Sequence, residues 1–212
     1  MKKTLSRFAL PALTLAGLLL AASAGALSQA RYTSAELSLR TALRQLWEEH
    51  IVYTRTFIIS ALAGLPDTDS AAQRLLRNQD DIGAAVKPFY GEAAGAKLAS
   101  LLREHILIAA DIVKAAKGGD GDGVAKGEAA WHANGQGIAA FLASANPNWS
   151  KAELGMMLDM HLAFTTTEVV SRLKGDWAAD IQAYDQGHDH MLKFSDMLAE
   201  GIVKQFPDRF QK

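Results

Sequence analysis

From about residue 34 to residue 205, apolar side chains recur three and four positions apart, and nowhere do they alternate for long. That spacing belongs to one face of an α-helix, whereas a strand would show a period of two. The chain is thereby restricted to helices, whose apolar stripes must bury one another. Composition agrees. Only 5 of 212 residues are Pro, and Ala and Leu are abundant. The 49% hydrophobic and 21% charged residues are ordinary for a globular chain, which excludes a disordered one. With no Cys, disulfides, thiolate zinc sites, iron–sulfur clusters and cysteine nucleophiles are excluded as well.

Stop and cap signals divide the pattern. A first helix runs from about Ser34 to Ala63 and ends at Gly64, Pro66 and Asp67. Ser70 and Gln73 form a capping-box pattern for a shorter second helix to Lys87, ahead of Pro88. A third spans about Gly91 to Lys117, and a fourth about Asp122 to Ser144. Ser150 with Glu153 caps a fifth helix to Lys174, and Asp176 caps a sixth to Gln205, with Trp177, Ile181, Leu192, Leu198 and Ile202 expected inward. Short connections make consecutive helices antiparallel neighbours. The expected fold is all-α: an up-and-down helical bundle of five long helices plus one short helix, without a fixed-period repeat.

Residues 1–24 read as a secretory signal peptide. Lys2, Lys3 and Arg7 precede the apolar run 8–20, and Ala22-Ser23-Ala24 supplies small residues for cleavage between 24 and 30. The run is shorter than the roughly 20 residues that span a bilayer. The expectation is a single helical-bundle domain over 31–212, periplasmic or secreted, with no stable membrane anchor after cleavage. The formal charge of −1 becomes −4 when Lys2, Lys3 and Arg7 are removed, and no clustered excess of Lys and Arg suggests nucleic acid.

Each long helix carries a polar residue within its apolar stripe: His50, His105, Asn134, His161 and His188. All lie near the middle of their helices, within roughly 3 Å of a common height at about 1.5 Å per residue. Four imidazoles in one storey point to a metal site built from several helices. His-rich coordination suits Zn, Cu or Ni, the expected transition metal ions, rather than Mg or Ca. The candidate ligands are His50, His105 and His161, completed by His188 or Glu168. Glu168 also has a competing use, an ion pair with Arg172 four residues on. The alternative is a non-enzymatic structural or small-ligand-binding module. Its polar layer fixes helix register, with Thr54, Thr165, Asn134 or Tyr184 as hydrogen-bond partners, or a pocket forms beside Trp47, Trp131, Met157 and Tyr184.

Other chemistry is excluded or weak. A di-iron carboxylate site needs two Glu-x-x-His units, and only Asp185-x-x-His188 resembles one. Asp120, Asp122 and Gly123 suggest a calcium loop, but Gly118 and Ala129 stand where its first and last acidic ligands belong, so Asp120 reads as a helix cap. No catalytic residues are assigned.

A longer set of residues carries a family likeness: Leu46-Trp47 with His50, Thr54-Arg55, Leu65-Pro66-Asp67, Phe89-Tyr90-Gly91, Glu104-His105, Trp131 with Asn134, Asn146-Pro147 with Trp149, and His161-Leu162. Over about residues 44–206 the chain resembles a family of small bacterial all-helical proteins of uncharacterised function. Its members sometimes carry names such as glycosyltransferase or acetylglutamate kinase, which imply sheet-containing folds that this chain cannot build. The resemblance implies the domain extent but no activity. Its pattern includes His50, His105 and His161 but not His188.

Overall fold

The computed structural model describes residues 32–211, so the leader-like segment lies outside the described residues. The chain is a helical bundle of α1 (Ser34–Ala63), α2 (Thr68–Gly118), α3 (Gly121–Ala145), α4 (Lys151–Leu173) and α5 (Trp177–Gln205), closed by a 3-10 turn at Pro207–Arg209. No strand occurs among the described residues. Thr33 opens α1 with a reciprocal capping box to Glu36, and Asp120, Ser150 and Asp176 each cap a following helix through a side-chain oxygen.

Helix α2 is two helices, α2a (68–90) and α2b (92–118), joined at Gly91. The glycine adopts φ 83° and ψ 169°, a conformation essentially closed to other residues. The chain reverses there, and Asp80 pairs with Arg103 across the turn. The two backbones touch: a Cβ added to Gly83 would lie 2.6 Å from the Gly95 carbonyl oxygen. The second helix is therefore not the short one expected to stop at Lys87. It runs through Pro88, whose missing N–H falls in the last turn, so the ring costs one hydrogen bond without breaking the helix body.

Side-chain pairs give each helix its direction. Arg74 and Asn78 of α2a reach Glu49 and the Leu46 carbonyl of α1, antiparallel to it. His105 meets Asn134, and Gly127 lies against Ile112, so α2b and α3 are also antiparallel. Arg172 meets Asp180 while Met157 meets His190, so α4 and α5 follow suit. The described residues thus form three helical hairpins: α1–α2a, α2b–α3 and α4–α5.

The hairpins repeat one another, contrary to the repeat-free reading of the sequence. Leu46-Trp47-Glu48-Glu49-His50-Ile51 corresponds to Leu101-Leu102-Arg103-Glu104-His105-Ile106 and to Met157-Leu158-Asp159-Met160-His161-Leu162. The offsets are 55 and 56 residues, too few matches over too long a period to stand out from the helical pattern. Equivalent positions fill successive layers. Leu43, Leu98 and Leu154, then Trp47, Leu102 and Leu158, are buried in one continuous core. The histidines follow, and Ile58, Val113 and Val169 form a separate cluster beyond them. Leu102 and Ile58, expected in the core, are 2% and 1% exposed.

Leu198 and Ile202 face inward as expected, whereas the first half of α5 differs from expectation. Asp180, Ala183, Gly187, Met191 and Phe194 are buried, whereas Trp177 and Ile181 are more than half exposed. Small residues at 183 and 187 let α5 approach α4 closely; a Cβ on Gly187 would sit 3.4 Å from Phe164 Cβ.

Candidate functional site

His50, His105 and His161 are brought together at the equivalent position of the three hairpins, each at most 3% exposed. The His161 ring centroid lies 5.6 Å from that of His50 and 5.9 Å from that of His105. As the side chains stand, no group of three or more His, Asp or Glu among the described residues has the geometry to hold a metal ion.

Hydrogen bonding fixes the tautomers of two rings. Asn134 donates its Nδ2 hydrogen to the Leu101 carbonyl at 3.1 Å, which turns its Oδ1 toward His105 Nδ1 at 2.9 Å. An amide oxygen only accepts, so His105 Nδ1 carries the proton. Gln79 Nε2 likewise donates to the Leu75 carbonyl and to Asn78 Oδ1, and Gln79 Oε1 accepts from His50 Nδ1 at 3.2 Å. Both rings are left with a lone pair on Nε2.

The third hairpin departs from this scheme. His190 takes the place of Asn134 and donates from Nε2 to the Met157 carbonyl, four residues before His161, as Asn134 does four residues before His105. It does not reach the His161 ring, whose buried Nδ1 has no hydrogen-bond partner.

Burial keeps the layer neutral. It pushes His50 down to about 4 and His105 down to about 3, the latter with a further push from His50. His161 is lowered well below the usual imidazole value by burial first and by the neighbouring histidines second.

His188 and Glu168 are not part of this layer. The buried stripe of α5 passes through Gly187, so His188 turns outward, a quarter exposed, 3.7 Å from Glu48 and 3.6 Å from Asp189. Glu168 is buried but faces Arg55 at 2.8 Å, not Arg172. Arg55 also makes a two-pronged pair with Asp180, and Arg172 meets Asp180 from the other side at 2.9 Å. This four-residue ion network spans α1, α4 and α5. Glu168 is raised above the usual carboxylate value by burial, with Arg55 opposing the shift. Thr54 and Thr165 do not partner the rings; their hydroxyls donate to the carbonyls of His50 and His161.

A cavity of about 60 Å3 lies directly beyond the histidines. It exists because the next layer is small: Thr54, Ala109 and Thr165 stand where the opposite side of the histidine layer has Trp47, Leu102 and Leu158. Trp131 lines it, while Trp47, Met157 and Tyr184 do not.

Sequence reasoning missed Gln79 and Asn78, both wholly buried. Their signal was the spacing of Gln79 four after Leu75 and three before Ile82, obscured by the polar run Arg77-Asn78-Gln79-Asp80-Asp81. Comparison with protein-family models, curated proteins and solved structures finds no match to this chain.

Proposed function

We propose that the protein binds one transition metal ion, of the Zn, Cu or Ni class, through His50, His105 and His161. The observation that carries this reading is the orientation of the rings. His50 and His105 each spend their Nδ1 proton on an amide oxygen that is itself locked, which leaves Nε2 as a ready ligand. Metal-bound imidazoles are almost always held this way, by a hydrogen bond on the other nitrogen. Zn–N bonds of about 2.0–2.1 Å put the centroids of two rings at a tetrahedral angle roughly 5 Å apart. His161 stands close to that spacing from each of the other two rings, at 5.6 Å from His50 and 5.9 Å from His105. A buried imidazole with an unpartnered nitrogen supports the same reading, because such groups are costly without a partner.

A second reading is favoured by the same amide bonds and by the absence of a metal-holding geometry in the side chains as they stand. In it the polar layer fixes the register of the three hairpins and binds nothing. Zinc titration of tag-free protein, followed by elemental analysis after gel filtration, separates the two. The metal reading expects one zinc per chain, retained in H188N and E168Q and lost in folded H161N. No bound zinc leaves the register reading.

We also propose that the protein works outside the cytoplasm, on the strength of the leader-like residues 1–24. Among the described residues no helix is long and apolar enough to cross a membrane.

A further inference from the structure

We infer that the cavity beyond the histidines binds a neutral aliphatic molecule with one terminal oxygen, an alcohol or a ketone, whose oxygen meets the Trp131 indole N–H. Nothing in this inference requires a metal ion, so it stands apart from the metal reading.

Unmet hydrogen bonding locates the polar end. Trp131 and His161 both line the cavity, 4% and 3% exposed, and each carries a buried ring nitrogen without a partner. Both rings stand against His105, with centroids 5.1 and 5.9 Å from its own. An indole N–H can only donate, so the partner it lacks is an acceptor. The Nδ1 of a neutral His161 can donate to the same oxygen or accept from a hydroxyl. Unpaired buried polar groups are costly, which favours an oxygen at this end of the cavity. The hydroxyl protons of Thr54 and Thr165 are already given to backbone carbonyls, at 2.7 and 3.0 Å, and do not compete for it.

The rest of the wall selects an apolar, uncharged body. Ile58, Ile112, Val113, Val124, Val169 and Val170 line it. No Lys or Arg does, and burial holds its three histidines neutral, while Glu128 adds a carboxylate. An ionised head would lose its hydration there without gaining a counter-charge. About 60 Å3 is open to the centres of water-sized spheres, several times the roughly 10–15 Å3 that one water needs. The space is not sealed. Val170, on the wall between α3 and α4, is 39% exposed, which gives an aliphatic tail a way in and room to extend.

The test adds hexanone, hexanol, hexane and hexanoate in turn to metal-free, nitrogen-15-labelled protein at neutral pH and follows the indole N–H resonances. Trp47 and Trp149 serve as internal controls, because their indole nitrogens are also buried and unpartnered but neither residue lines the cavity. Hexanone and hexanol should shift the Trp131 N–H downfield in a saturable way and leave Trp47 and Trp149 in place. Hexane should bind about two- to tenfold more weakly, the factor that one hydrogen bond supplies, and hexanoate should also bind more weakly than hexanone. W131F, which keeps an aromatic ring and removes the N–H, should bring hexanone down to the level of hexane. A109L, which fills the small layer, should weaken every probe; the wild-type Trp131 shift decides the matter even where A109L does not fold. Saturation without a Trp131 shift, hexane or hexanoate binding as tightly as hexanone, or folded A109L binding like the wild type overturns the inference. So does the failure of all four probes to saturate, which leaves the two ring nitrogens to water. None of these outcomes bears on zinc, which the titration above tests separately.

Discussion

His105 donates from Nδ1 to Asn134 at 2.9 Å across 29 residues of chain, the same separation at which His50 donates to Gln79. Two hairpins thus hold their histidines by one device, an amide on the second helix that also ties down its own nitrogen. Replacing Asn134 with Leu strands the His105 ring N–H, while the Leu101 carbonyl keeps its helical bond from the His105 backbone. At about 1–3 kcal/mol for a stranded buried group, the expected loss is about 1–3 kcal/mol by denaturant unfolding. A loss below about 0.5 kcal/mol would show that the amide holds nothing.

The neutral layer makes stability fall with acidity. The folded-state values, about 4 for His50 and about 3 for His105, lie below the ordinary 6.5, so the unfolded chain binds protons first as pH drops. Stability is complete above about pH 6.5 and is lost progressively toward pH 4. Each histidine contributes a slope of up to about 1.4 kcal/mol per pH unit. Urea midpoints measured at pH 7, 6 and 5 should decline steadily, and the decline should be shallower in H50N. Equal midpoints at pH 7 and 5 would contradict the burial of neutral rings.

Glycine-to-alanine changes at two positions should have opposite signs. G91A places a Cβ on backbone at φ 83° and ψ 169° and should cost about 1–3 kcal/mol. Gly137 lies inside α3 with nothing within 4 Å of an added Cβ, so G137A should stabilise by about 0.5–1 kcal/mol. Thermal melts of the two variants on opposite sides of the wild type would bear out the hairpin turn; two equal shifts would not.

Arg55 compensates Glu168 and shares Asp180 with Arg172. R55L leaves Glu168 buried without a cation and should lose about 2–4 kcal/mol, near the range for breaking a buried pair. Adding E168Q removes the stranded charge, so the double variant should recover part of that loss. A double variant no more stable than R55L would mean that the ion pair with Glu168 contributes little.

The helices and most of the core were legible because the apolar period is strong, and His50, His105 and His161 stood out against it. The histidines share a local string of two large apolar residues, then two positions of which the first is charged, then His and an aliphatic residue, too short to stand out from the helical pattern. Other features depended on contacts between distant helices. Asp180 is buried because Arg55 and Arg172 neutralise it, and no local pattern reveals that; the exposed Trp177 and Ile181 point to the wrong face of α5 instead. His188 went wrong with that face, by one residue. Gln79 was hidden in a polar run, and the turn at Gly91 could be suspected from Pro88 while the length of the helix before it could not.

The central claim, Nε2 of His50 and His105 and one nitrogen of His161 offered to one metal, is tested most directly by long-range proton–nitrogen correlation spectra of the imidazole rings with and without one equivalent of zinc. The metal-free protein should show His50 and His105 as Nδ1-protonated tautomers. Zinc should then shift the Nε2 resonances of both, together with one nitrogen of His161, in slow exchange and at a single stoichiometric equivalent. Spectra in which zinc leaves these three rings untouched, or moves His132, His188 or His190 instead, would contradict the account.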